Sequence, residues 1–309
     1  MILVAGSANL DFVVRAAHIP APGETVLGRE FRTFAGGKGA NQAVACARAG
    51  GCRTEMLLAL GDDSFAAPIE ESLKAAGVRM HVVRVRDEPT GTAFICVSDS
   101  AENAITVAPG ANSRLRASDL PPLEGFTHLL LQLETPIETV IAYARTARLQ
   151  RVQVVLNAAP ARVLPPELLS LVDVLVVNMG ELAVVSGHEG SIEQSLERID
   201  VACVVVTLGE RGCCARAGGE MIMQSAFAVI PVDTTAAGDA FCGVLVAGLS
   251  QGLRLPDALR RANAAGALAC TKPGAQSSIP THLELESFLQ SAGRHGYDPE
   301  SSASFEGPG

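Results

Sequence analysis

Uninterrupted runs of Val, Leu and Ile recur along the chain, separated by segments whose apolar residues return every three or four positions. ILVAG opens the chain from Ile2 to Gly6, and EMLLALG, HVVRVR, THLLLQL, VQVVLN, DVLVVN and ACVVVTLG repeat the theme. Runs apolar on both faces predict strands of a parallel sheet covered by helices. Between them, GANQAVACARAG (Gly39 to Gly50), the amphipathic segment that follows Ser64 and ends at Gly77, and IETVIAYARTARL carry helical spacing. The C-terminal part predicts three helices, over Gly238 to Gly252, Pro256 to Thr271 and His282 to Gln290. This alternation predicts an α/β fold with a doubly wound, mostly parallel sheet flanked by helices.

Two regions, about 11–35 and 91–107, break the alternation. Both alternate apolar and polar residues with no helix between, which predicts hairpins pairing into a small sheet apart from the main one. Such a sheet is a lid or an interface, or else two plain surface hairpins. Residues 1–292 read as one domain. Residues 293–309 are polar and rich in Gly, Pro and Ser, and read as a disordered tail.

Composition narrows the function. With 48% hydrophobic and 18% charged residues in 309, a large core is available. A net charge of −9 with no basic block argues against a nucleic-acid or anionic-membrane partner. Local amides and a cation can still bind phosphate on an acidic protein. Of eight cysteines, Cys46, Cys96, Cys203, Cys242 and Cys270 lie in apolar runs, and Cys213–Cys214 lacks zinc or redox spacing. They read as reduced structural residues of a cytoplasmic protein. The N-terminus reads as a first strand and not a signal peptide, and no apolar stretch approaches the roughly 20 residues of a membrane span.

Chemistry concentrates where strands end. In VDTTAAGDAF (Val232 to Phe241), small residues lead into Asp239 at the mouth of an apolar helix. A helix start supplies free amides and a positive dipole end suited to phosphate. A carboxylate repels phosphate, so Asp239 reads either as a base for an attacking hydroxyl or as an ordinary helix-start Asp. In FAGGKGANQA (Phe34 to Ala43), Gly36, Gly37 and Gly39 permit close backbone approach, and Lys38 and Asn41 bring donors. A Gly-rich turn without a ligand is the alternative. In GSANLD, Asn9 and Asp11 just follow the first strand, a pair suited to vicinal hydroxyls or to an Asx-turn. Glu134, Asn157, Asn178 and Glu181 also follow strands. Asn178 and Glu181 suit water-mediated magnesium binding, although Glu181 is equally read as a surface residue in a first helical turn. TLGERG, Thr207 to Gly212, ends another strand in a glycine turn fit to clasp a nucleotide.

GSANLD, PGETV, GGKGANQA, GDD (Gly61 to Asp63), PTGTAF, QLETP, LNAAPAR, NMGE, TLGERG, VDTTAAGDAF and KPGAQSSIP follow one another over Met1 to Leu289. In that order the chain resembles the PfkB carbohydrate kinases, the ribokinase-like sugar kinases. The resemblance implies transfer of the ATP γ-phosphoryl group to the primary hydroxyl of a pentose, D-ribose first. It implies Asp239 as base, with Ala236, Ala237 and Gly238 forming the anion hole. It implies sugar contacts at Asn9, Asp11, Gly37, Lys38, Gly39, Asn41 and Glu134. ATP contacts are implied at Asn178, Thr207, Gly209, Gly212 and Gly238, with Asn263 near adenine, and Glu181 organises Mg2+ through water. A monovalent cation, K+, is implied at Asp233, Thr235, Ala269, Lys272, Gly274 and Ser278. The two hairpin regions match the family's β-lid, which implies a homodimer through the lid. Asn263, Cys242 and Lys272–Pro273 depart from the common pattern, the last leaving the ion preference open. The competing readings are a kinase for deoxyribose, a ketohexose or a nucleoside, and a non-catalytic sugar or nucleotide sensor on the same fold.

Overall fold

The computed structural model describes residues 1–100 and 102–293. Strand β1 (Ile2–Ala5) leads into a hairpin of β2 (Asn9–Arg15) and β3 (Glu30–Gly36). Helix α1 (Lys38–Val44) follows and continues as a π-helical turn over Ala45–Ala49. Next come β4 (Thr54–Gly61), α2 (Ala66–Ala75), β5 (Arg79–Val85) and a second hairpin, β6 (Gly91–Val97) with β7 (Asn103–Ala108). The alternation then resumes with β8 (His128–Leu131), α3 (Ile137–Leu149), β9 (Gln153–Asn157), α4 (Pro166–Leu171) and β10 (Val174–Asn178). It runs on through α5 (Met179–Ser186), α6 (Ile192–Glu197) and β11 (Cys203–Thr207). A hairpin of β12 (Cys213–Ala217) and β13 (Glu220–Gln224) precedes α7 (Ala237–Ser250), α8 (Leu255–Ala269) and α9 (His282–Gly293). The tail expected from residue 293 lies outside the described residues, except that Gly293 itself ends α9.

The main sheet has nine strands in the order β13-β12-β11-β10-β9-β8-β1-β4-β5. From β11 to β5 every neighbouring pair is parallel, and β12 and β13 append an antiparallel edge. The continuous apolar runs are explained by burial on both faces. Ile2, Val4, Met56, Leu58 and Val205 point into a core with α1, α2, α7, α8 and α9. Leu3, Ala5, Leu57, Val204 and Val206 point into the opposite core with α3 to α6. The β12–β13 hairpin is not in the sequence expectation. Its turn, Gly218–Gly219, adopts positive φ at both positions, which is the readable hairpin signal there.

The two interrupting regions do form a separate four-stranded sheet, ordered β3-β2-β6-β7, with β2 and β6 parallel at its centre. What this topology does for function is local. The helix after β1 lies on one face of the main sheet, and the helix after its neighbour β8 lies on the other. A crevice therefore opens at the carboxyl ends of these two strands, where open α/β sheets bind ligands.

Candidate active site

The crevice is built by backbones that approach too closely for side chains. Gly37 has φ +87°, and a Cβ there would lie 2.7 Å from the Asn9 amide nitrogen. A Cβ on Gly39 would meet the Gly6 and Ser7 backbone at 2.7 Å. The N-terminus of α1 is thereby set against the end of β1. The Lys38 amide donates to Glu134 Oε2 (3.2 Å), and the Ser7 hydroxyl donates to the same oxygen (2.5 Å). The Gly39 amide donates to Ser7 Oγ. Asn112, from the turn after β7, clasps the strand end: the Ala8 amide donates to its Oδ1, and its Nδ2 donates to Asn9 Oδ1 (2.8 Å) and to the Ala8 carbonyl.

Asp239 lies at the third position of α7, 9% exposed. The residue before that helix, Ala236, takes a left-handed conformation (φ +59°), a costly choice for alanine that turns the chain sharply into the helix. Both carboxylate oxygens of Asp239 are held by α1. Asn41 Nδ2 donates to Oδ2 and Gln42 Nε2 donates to Oδ1, each at 2.9 Å. Gln42 Nε2 also donates to Asn157 Oδ1 (3.0 Å), and Gln132 Nε2 donates to Gln42 Oε1 (2.6 Å). The Asn41 Oδ1 atom is buried with no partner among the described residues.

The electrostatics follow from crowding acids around one cation. Burial, then Glu134 and Asp239, push Asp11 up to about 7, against Lys38. Burial raises Asp239 above the usual carboxylate range, while Lys38 and the Asn41 and Gln42 amides oppose it. Glu181 is raised by burial as well, against the Asn178 amide and Lys38. For Lys38 burial acts downward, but Asp239, Glu134 and Glu181 together outweigh it and hold the ammonium charged. A cleft of about 160 Å³ opens beside these groups, bounded by Lys38, Asn157, Asn178, Glu181, Thr207, Ala236, Gly238, Asp239 and Cys242. A Cβ on Gly238 would meet nothing within 4 Å.

The residues expected from sequence divide on this geometry. Asn9, Asp11, Lys38, Asn41, Glu134 and Asp239 converge at the β1–β8 crevice. Asn178, Thr207, Glu181, Ala236 and Gly238 border the adjoining cleft. The Ala237 amide is engaged, donating to the Thr234 carbonyl. Asn178 and Glu181 form a reciprocal cap on α5, each backbone amide donating to the other side chain at 2.8 Å. Gly209 and Gly212 adopt positive φ in a 3-10 turn after β11, outside the cleft lining. Asn263 is also outside it: its amide ties α8 to the Gln224 and Ser225 carbonyls. In the expected cation loops, Asp233 accepts from the Thr235 and Gly274 amides, both at 2.9 Å. The Lys272 amide donates to the Ala269 carbonyl and the Ser278 hydroxyl to Ala275. Lys272 Nζ is drawn away to Glu284 at 2.6 Å.

Ser7, Gln42, Asn112 and Gln132 belong to the site but were not among the residues expected from sequence. Gln42 was readable, because it interrupts the buried stripe of Ala40, Ala43 and Val44 on α1. Gln132 directly follows the apolar run Leu129 to Leu131 of β8. Nothing local marks Asn112.

The family model described as pfkB family carbohydrate kinase matches residues 1–282. A ribokinase of Haemophilus influenzae is 39% identical over 304 residues, covering 94% of this chain and 99% of its own. A crystal structure of ribokinase from Thermotoga maritima superposes with a TM-score of 0.87 at 35% identity, over 94% of this chain and 99% of that one. A structure of Arabidopsis thaliana ribokinase complexed with ribose and ATP gives 0.85 at 31% identity, over 94% and 98%.

Proposed function

This chain belongs to the pfkB carbohydrate kinase family, and from that premise we propose that it transfers the γ-phosphoryl group of ATP to the primary hydroxyl of D-ribose, giving D-ribose 5-phosphate. The observation that carries the reading is Asp239: a buried carboxylate gripped by two amides, at the first turn of a helix, between a polar crevice and a cleft holding Lys38.

Asn9, Asp11 and Glu134 supply acceptors for sugar hydroxyls in the crevice, and the free Asn41 oxygen supplies another. The primary hydroxyl gives its proton to Asp239 as its oxygen bonds to the γ-phosphorus, and the bond from phosphorus to the bridging oxygen breaks to release ADP. The amides at the start of α7 and the Lys38 ammonium meet the charge on the transferred group. Asn178, Thr207 and the 207–212 turn are the proposed nucleotide contacts, with Gly209 and Gly212 shaping that turn. Asn263 steadies the hairpin end beside it.

Glu181 fits Mg2+ held through water. It borders the cleft, and the cap occupies one of its oxygens. When bound, the ion neutralises the nucleotide's phosphates. A monovalent cation, with K+ as the proposed one, fits the loops of Asp233, Thr235, Ala269, Lys272, Gly274 and Ser278. These offer carbonyl oxygens and one carboxylate, which suit a cation of low charge density, and the competing Lys272 ammonium is paired elsewhere. The ion would steady the turn into α7. The small sheet is the proposed lid and dimer surface. Phe31, Phe94, Ile105 and Val107 stand exposed on it, and a solution mass of two chains that falls to one in Ile105→Asp is the expected result. All eight thiols are unpaired, in keeping with a reducing cytoplasm. Among the described residues, no helix is long and apolar enough to cross a membrane.

ADP release with ribose, deoxyribose, fructose and adenosine, each with and without potassium, tests the reading. Ribose is expected to give the highest kcat/KM, and potassium to raise it. Ribose inert beside an active alternative overturns the substrate, and ligand-dependent melting with no ADP release favours a sensor.

Asp11 adds a pH dependence. Burial, then Glu134 and Asp239, push its carboxyl up to about 7, against Lys38. Sugar hydroxyls donate to the carboxylate form, so binding favours ionised Asp11 and is lost as pH falls. Ribose affinity by calorimetry is expected to be flat above about pH 8 and to weaken up to about tenfold per unit below 7. A flat profile between pH 5.5 and 8.5 would remove Asp11 from the contact.

A further inference from the structure

We propose that Gln42, locked by Gln132 and Asn157, is the residue that fixes the Asp239 carboxylate in the one orientation from which it takes the substrate proton. This rests on the reading of Asp239 as the base.

The two amides on Asp239 are not equivalent. Asn41 makes a single bond, to Oδ2, and its oxygen has no partner among the described residues. Turned over, it would lose that bond and set its oxygen against Oδ2, but no second partner ties it down. The Gln42 amide makes three bonds: Nε2 donates to Asp239 Oδ1 and to Asn157 Oδ1, and Oε1 accepts from Gln132. Turning it over would aim an oxygen at two acceptors and an amino group at another amino group. Asn157 is held in turn, its Nδ2 donating to the Val176 carbonyl. Gln42 is completely buried and Gln132 nearly so, which removes water as a substitute partner. The orientation of Asp239 is thus referred back to the end of β9 through Asn157, and to the end of β8 through Gln132, whose own oxygen has no partner among the described residues. A carboxylate with one fixed donor on one oxygen presents the other oxygen region predictably, which a proton acceptor requires.

The same donor favours the ionised form of Asp239. Facing it are Lys38 on α1, Glu134 after β8, Glu181 on α5 and Cys242 on its own helix, with Asp11 on β2 sensing it. Apart from Lys38, none of these favours a charged Asp239, so the amide donors matter. Gln42 itself is placed behind Asp239 and acts through it, which makes it a positioning residue.

The test is kcat and ribose KM between pH 5.5 and 9 for the wild type, Gln42→Met, Gln132→Met and the double variant. Methionine keeps the length and volume of glutamine and removes its hydrogen bonds. Gln42→Met is expected to lower kcat at pH 7 by about ten- to a hundredfold, move its acid limb up by about one to two pH units, and leave ribose KM within about twofold. Gln132→Met is expected to shift the limb in the same direction by less, and to add nothing in the Gln42→Met background. A packing defect alone lowers the melting temperature without moving the limb. An unmoved limb in Gln42→Met, or effects of the two variants that multiply, overturns the proposal. Should Gln42→Met fail to fold, Gln132→Met decides it alone, and an unmoved limb there is equally fatal. A wild type that releases no ADP from any sugar overturns the kinase reading itself, an outcome told apart because it needs no variant.

Discussion

Asp239→Asn is expected to lower turnover by on the order of a thousandfold while the protein folds and still binds sugar. The loss follows from chemistry, since an amide cannot take the hydroxyl proton. The survival of the fold follows from the asymmetry of the two donors. An asparagine at 239 keeps its oxygen toward Gln42, which cannot turn, and sets its amino group toward Asn41. Asn41 can turn, because its own oxygen is unpartnered. No donor is left facing a donor across the 41–239 pair, but the turned Asn41 amino group takes the partnerless place its oxygen held, at a cost of about 1–3 kcal/mol that the fold can carry. Removing a buried charge offsets part of any remaining strain. The turned Asn41 withdraws one acceptor from the sugar, so ribose affinity is expected to weaken by no more than about tenfold. Single-turnover rates, ribose calorimetry and a melting curve check the three parts separately. Turnover within tenfold of wild type would remove Asp239 from the chemistry.

Gly238→Ala is expected to cost about a hundredfold in turnover and nothing in melting temperature. Glycine is not needed there for the backbone, since its φ is not among the positive ones. Nor does the protein need the space, since an added Cβ meets nothing within 4 Å. Alanine even favours a helix over glycine. What the methyl group would occupy is the open cleft in front of the helix amides, the place proposed for the transferred phosphoryl group. Gly39→Ala makes the contrast. There a Cβ would strike the Gly6 and Ser7 backbone at 2.7 Å, so stability falls together with activity. A Gly238→Ala variant with normal turnover would mean that the phosphoryl group passes elsewhere.

The parts of this protein that were legible in the sequence are those set by neighbours along the chain. Continuous burial of Ile2 to Ala5, or of Val204 to Val206, alternately in one core and the other, needs only a strand with a helix layer on each side. The hairpins of the small sheet announced themselves by breaking the helical period. β12 and β13 escaped because Cys213 to Gln224 is weakly patterned: β12 buries only the small Cys213, Cys214 and Ala215, and β13 is the exposed sheet edge, where packing demands little of the sequence. The site motifs were visible as polar or glycine clusters at strand ends, and Asp239 was visible as a carboxylate at a helix start.

Taken alone, the sequence determined most of the strands and helices, that both faces of the sheet are covered, and which polar groups sit at strand ends. Only the tertiary structure decided what each of those groups does. Gln42 meets Asp239 across 197 positions of chain, Asn178 and Glu181 spend part of their polarity capping α5, and Asn263 is turned to a neighbouring hairpin. The reason is physical: local sequence sets dihedral preferences and burial, whereas the charge and direction of a buried side chain are set by the partners that remote segments bring within about 3 Å.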